Sequence, residues 1–128
     1  MTSQTVAALV ADAKQQIQNP TVDEVSSELA ADSIVLVDIR EPEERATTGA
    51  IPGAIHAERG MIEFYADPTS PYHRPEFDTE RRIILYCASG GRSALATKSL
   101  QLLGYRRVAH LDGGLKTWAA AGQPLEAA

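Results

Sequence analysis

Tyr86-Cys87-Ala88-Ser89-Gly90-Gly91-Arg92-Ser93 contains the only cysteine of the chain, and the segments on either side read as supports for it. Arg82-Ile83-Ile84-Leu85-Tyr86 ahead of it is a short apolar run of strand length. Behind it, Leu95, Ala96, Ser99, Leu102 and Leu103 recur at helical spacing and define the predicted buried face of a helix that Gly104 ends. The cysteine is therefore expected at the C-terminal tip of a strand, in a turn that opens a helix. Gly90 and Gly91 let that turn curl, so that successive backbone N–H groups point at the sulfur. Those groups and the positive end of the helix favour an anion, and so favour thiolate over thiol. A buried structural cysteine is the plainer reading of a lone Cys. It does not account for two adjacent glycines, an arginine and a helix start around it.

Composition narrows the class. With 128 residues, 44% hydrophobic and 23% charged, the chain fits one globular domain with a real core. No apolar run is long enough to span a bilayer, and Met1 to Gln4 lacks the basic start of a secretory signal. One cysteine makes neither an internal disulfide nor a zinc cluster, which fits a reducing, cytoplasmic setting. The formal net charge is −5, unevenly spread. Residues 1–58 hold three basic and ten acidic side chains, whereas 59–107, around the cysteine, hold eight and five. That balance suits a small anionic substrate; no basic run or aromatic platform points to nucleic acid.

In chain order, Ser3 is the expected cap of a first amphipathic helix with Val6, Leu9, Val10, Ala13 and Ile17 on one face, stopped by Asn19-Pro20. Residues 1–19 are read as a leader helix and 20–125 as the domain proper; the leader packs on the domain or docks a partner. Thr21-x-x-Glu24 is a capping box opening a second helix to about Ala31, and Ile34-Val35-Leu36-Val37 is an apolar strand of the parallel-sheet type. Asp38 and Arg40 follow at its C-terminal end, where α/β domains gather polar function. Asp38 reads as structural; Arg40 is open between structure and function. His56, ending a short strand after the Gly49-to-Gly53 turn, reads as a hydrogen-bonded structural residue rather than a proton donor. Residues 57–80 are the least regular stretch, with a short helical pattern at 61–65 and Pro68, Pro71 and Pro75 close together. Arg59, Phe64, Tyr72 and His73 there are candidates for lining the mouth of the site. A last strand, 107–111, turns through Asp112-Gly113-Gly114 into a closing helix anchored by Trp118. The double glycine lacks a nucleotide-binding pattern and reads as close packing beside the cysteine loop.

Val37-Asp38-Ile39-Arg40-Glu41-Pro42-Glu43, Gly49-Ala50-Ile51-Pro52-Gly53-Ala54, Cys87-Ala88-Ser89-Gly90-Gly91-Arg92-Ser93 and Leu111-Asp112-Gly113-Gly114 with Trp118 together resemble the rhodanese (thiosulfate sulfurtransferase) family. The resemblance implies a three-layer α/β domain with a central parallel sheet flanked by helices. It implies that Cys87 takes a sulfane sulfur from thiosulfate or a persulfide donor and passes it, as a cysteine persulfide, to cyanide or a thiol, on a small molecule or a protein. Ala88, Ser89, Gly90, Gly91, Arg92 and Ser93 are then the substrate-binding loop, with Arg92 either holding the donor's oxygens or bracing the loop. Asp38, Arg40 and Arg59 are read as supporting residues, and no metal or organic cofactor is implied. A cysteine-dependent phosphatase is the nearest rival; its loop places five residues between cysteine and arginine, whereas four separate Cys87 from Arg92. The other rivals are a persulfide carrier serving a partner protein and a regulatory binding module.

Overall fold

A computed structural model describes residues 3–128. Four short strands, β1 (Val35–Asp38), β2 (Ile55–His56), β3 (Ile83–Tyr86) and β4 (Val108–His110), form one parallel sheet in the order β2-β1-β3-β4. The strand expected at 34–37 is shifted by one residue to 35–38, and those expected at 82–86 and 107–111 are shorter, at 83–86 and 108–110, because register with neighbours decides where pairing stops. β1 and β3 sit in the middle and are covered on both faces, which is why they read as unbroken apolar runs. Side-chain alternation divides the core in two. Val37, Ile83 and Leu85 face Ile62, Phe77, Ala96 and Leu100 on one side. Leu36, Ile84 and Tyr86 face Val22, Val25, Leu115 and Trp118 on the other.

Helices α1 (Val6–Gln16), α2 (Val22–Ala30), α3 (Pro42–Thr48), α4 (Ile62–Ala66), α5 (Gly91–Leu102) and α6 (Gly114–Ala120) surround the sheet, with a 3-10 turn at Arg59–Met61 before α4. The result is the three-layer α/β arrangement anticipated from the sequence. The capping box of α2 forms as read: the Thr21 hydroxyl accepts from Glu24 N and the Glu24 carboxylate from Thr21 N. α1 differs in its cap. Thr5 rather than Ser3 accepts the N–H of Ala8, at 3.1 Å, because the helix starts at Val6. The leader is seated on the domain: Ala13 is fully buried, the Gln101 side chain bonds the Gln16 carbonyl, and Lys98 reaches Asp12.

The buried face of α5 is a second difference. Ser93, Ala94, Ala96, Thr97 and Leu100 are covered, while Leu102, assigned from periodicity to the core, is 84% exposed. Small side chains let the helix lie close against the sheet, and Leu102 overhangs its last turn. Trp118 is the anchor expected, 1% exposed with its indole N–H on the Pro124 carbonyl at 2.9 Å. Among the described residues no helix is long and apolar enough to cross a membrane.

Candidate active site

β3 delivers Cys87 one residue beyond its C-terminal end, as the sequence requires. Cys87 is 1% exposed. Its Sγ accepts the backbone N–H of Gly90 at 3.1 Å and that of Ser93 at 3.4 Å, and lies 3.4 Å from the Ser93 hydroxyl. Gly90 makes the curl possible with φ of +103°, a left-handed conformation that side chains disfavour. The loop's carbonyls point the other way, onto α6: Leu115 N donates to Cys87 O at 2.9 Å and Lys116 N to Ala88 O at 3.0 Å. Gly114 is required for that approach, since a Cβ there would stand 2.6 Å from Cys87 O. The double glycine is thus the close packing read from the sequence.

Beneath the loop lies a buried polar network. Asp38, fully buried, accepts from the backbone, Nε and Nη2 of Arg40, from Arg45 Nε and from the Tyr86 hydroxyl. Burial pushes its carboxyl up, but the Arg40 and Tyr86 bonds outweigh that and hold it below the ordinary aspartate range. Arg40 also donates from Nη1 to Thr48 Oγ1 and from Nη2 to the Gly49 carbonyl, and Tyr86 OH accepts the N–H of Ile51 at 3.1 Å. Burial and the Asp38 charge push the Tyr86 hydroxyl up. Every polar atom of Asp38 and Arg40 that the network reaches is committed to the scaffold. Both residues brace the strand ends. His56 does likewise, with Nε2 2.6 Å from the Arg40 carbonyl.

Arg92 leaves the loop and grips Glu44 of α3 with both Nη atoms, at 2.7 and 2.8 Å. The Arg92 guanidinium holds the Glu44 carboxyl far down, to about 2, and Glu44 in turn raises Arg92. The arginine therefore ties the active loop to α3.

A cavity of about 550 Å³ opens on Cys87. Ser89, Gly91, Arg92 and Leu95 line one side, and Val6, Ala7, Val10, Ala11 and Lys14 of the leader helix line the other. Arg59, Phe64, Tyr72 and His73 are not among its walls. Arg59 is paired with Glu63 at 3.0 Å, Phe64 and Tyr72 meet edge to face at 6.3 Å, and His73 Nε2 lies 3.0 Å from the Phe77 carbonyl. Two residues at the site escaped the sequence reading. His110, fully buried, sets Nδ1 2.9 Å from Ser93 Oγ, and its Nε2 is 2.7 Å from Asn19 Oδ1. No signal in the sequence marked it: His110 pairs in register with Leu85, which shares a face with Cys87 two residues on, and that register is fixed only in the folded sheet.

A buried cysteine at a strand tip, with two backbone N–H groups aimed at its sulfur at the start of a helix, offers donors to an anionic group held there. The rhodanese-like domain family matches residues 21–121, and the chain belongs to that family. A sulfurtransferase of Allochromatium vinosum is 38% identical over 96 residues, covering 75% of this chain and 81% of that one. Among solved structures, the human single-domain sulfurtransferase superposes with a TM-score of 0.69 at 27% identity, covering 80% of this chain and 95% of that one. A Rhodopseudomonas palustris protein of unknown function, described as a possible tyrosine phosphatase, superposes with a TM-score of 0.92 at 39% identity, over 98% of this chain and 97% of that one. The chemistry common to the family is rhodanese-type sulfur transfer.

Proposed function

We propose that the protein moves a sulfane sulfur from thiosulfate or a persulfide donor to a thiophilic acceptor, cyanide or a thiol, through a persulfide on Cys87. The observation that carries this reading is the pair of N–H groups, from Gly90 and Ser93, aimed at Sγ at 3.1 and 3.4 Å. Donors fixed in advance around a sulfur stabilise the negative charge that develops there during attack and the persulfide anion that results, at no cost of rearrangement during reaction. In the first half-reaction Sγ attacks the sulfane sulfur and sulfite leaves; in the second the acceptor removes the terminal sulfur. Ala88 to Ser93 form the cradle. Arg92 braces it through Glu44. Asp38 and Arg40 hold the strand ends beneath; Arg59 supports the neighbouring turn.

A second reading is favoured by the leader helix forming one wall of the cavity. An opening of that size, with valines and alanines along one side, admits a donor or acceptor much larger than thiosulfate or cyanide. On this reading the protein is a persulfide carrier and its acceptor is a thiol on a partner protein in the cytoplasm. The phosphatase description of the Rhodopseudomonas protein is not extended to this chain, whose loop is a residue shorter than a phosphatase cradle and whose arginine is engaged by Glu44.

Steady-state kinetics test the proposal. Varying thiosulfate at several fixed cyanide concentrations should give parallel double-reciprocal lines, and Cys87→Ser should abolish turnover. Intersecting lines, or turnover retained in Cys87→Ser, would contradict a covalent sulfur intermediate at that residue.

A further inference from the structure

Ser93 and His110 form a continuous path away from the nucleophile. The Asn19 side-chain amide meets the Lys14 and Ile17 carbonyls at 2.9 and 3.1 Å, contacts only its NH₂ can make. Its Oδ1 therefore faces His110, and His110 Nε2 must carry a proton to meet it at 2.7 Å. In the neutral ring Nδ1 is then an acceptor, and the Ser93 hydroxyl donates to it at 2.9 Å in preference to the Gly90 carbonyl at 3.3 Å. That leaves the Ser93 oxygen lone pairs toward Sγ, as acceptor for the Cys87 thiol at 3.4 Å.

We propose that Ser93 and His110 are a proton relay for Cys87, with His110 holding the thiol proton for the lifetime of the persulfide. The inference rests on the persulfide reading above. As Sγ attacks, the bond from Sγ to the sulfane sulfur forms, the donor's S–S bond breaks and sulfite departs with the electron pair. The thiol proton passes to Ser93 Oγ while the Ser93 proton passes to His110 Nδ1. The products are a persulfide anion in the cradle and an imidazolium beneath it. When cyanide takes the terminal sulfur as thiocyanate, Sγ leaves as thiolate and the proton returns along the same path. Over the cycle thiosulfate and cyanide become sulfite and thiocyanate with no net proton exchanged.

The surroundings make the store conditional. Burial pushes the His110 imidazole down to about 4; Lys14 of α1 adds to that, and Asp112 beyond β4 opposes it. Lys14 and Asp112 are themselves paired at 2.9 Å, so neither acts as a full free charge. A negative charge on the sulfur side is the remaining compensation for an imidazolium, and it exists while Cys87 is thiolate or persulfide.

Proton release on loading tests the relay. Stoichiometric thiosulfate is mixed with reduced protein in weak buffer just above neutral pH, and dye-detected protons, corrected for those the released sulfite takes up at that pH, are compared with sulfur gained by intact mass. Wild type should release far less than one proton per sulfur, whereas His110→Gln should release close to about one and load at least about tenfold more slowly. Equal release in the two proteins would overturn the relay. Should His110→Gln fail to fold, the half-buried Asn19 provides the second arm. Asn19→Asp places a carboxylate on Nε2–H and should speed loading several-fold just above neutral pH, where the ring still starts neutral, while Asn19→Leu should slow it. If both variants slow alike, Asn19 and His110 matter only as packing and the relay is overturned. A wild type that gains no sulfur overturns the persulfide reading and the relay with it; a wild type that loads normally confines any failure to the relay.

Discussion

Asp38 illustrates how a functional-looking residue is held to structure by its partners. It lies at the tip of β1, next to the cysteine strand, with Arg40 wrapped back onto it and both side chains buried. Removing one member of such a pair strands the other, at a cost of about 3–5 kcal/mol. Asp38→Asn should lower stability by that order in urea unfolding; a change below about 1 kcal/mol would show the network to be dispensable. The pH dependence follows from the lowered carboxyl. Its stabilisation is fully present above the ordinary aspartate value of 3.8 and is lost as pH falls through the lower folded value, so the protein should show added acid sensitivity that Asp38→Asn lacks. The structural role of Asp38 was legible in the sequence because an aspartate after an apolar strand needs local partners. His110 was not, since its partners Ser93 and Asn19 come from α5 and the end of the leader, and only the strand register brings the three together.

At the scale of elements, the active loop is shaped by α6 as much as by its own helix. The N–H groups of Leu115 and Lys116 hold the Cys87 and Ala88 carbonyls against α6, while the N–H groups of Gly90 and Ser93 face Sγ. Gly114, at φ +64° and in contact with those carbonyls, makes the approach possible; Gly104, at φ +95°, has open space around it. Gly104→Ala should therefore cost about 1–2 kcal/mol of backbone strain and leave turnover unchanged. Gly114→Ala carries the same strain and a collision with the loop, so it should destabilise further and lower sulfur transfer at least about tenfold. Equal effects of the two substitutions on turnover would contradict the clamp. The motif before α6 announced close packing, and the capping box of α2 announced its start, because both are local. The buried face of α5 was misjudged because hydrophobicity alone located it. A helix pressed onto a sheet buries small residues such as Ala94 and Ala96, and leaves a terminal leucine outside.

Over the whole molecule, the strand–helix alternation, the central parallel sheet and the cysteine at its C-terminal edge could all be read from residue pattern, since each follows from periodicity and turn chemistry. The place of the leader helix could not. Its apolar face favours packing on the domain over docking a partner, as found, but where on the domain it packs, with Val10 against the start of α5, becomes visible only in three dimensions. The leader thereby belongs to the cavity over Cys87, and its own residues shape what reaches the sulfur. The positive segment 59–107 supplies the loop and Arg92, while the acidic first half supplies Glu44 to brace it. All of this converges on one claim, that Cys87 carries sulfur. Its most direct test is the intact mass of the reduced protein after exposure to thiosulfate, removal of the donor, and then addition of cyanide. The account predicts a gain of one sulfur, about 32 Da, absent in Cys87→Ser and discharged by cyanide. No gain from thiosulfate, and none from a persulfidated thiol offered in its place, would contradict it.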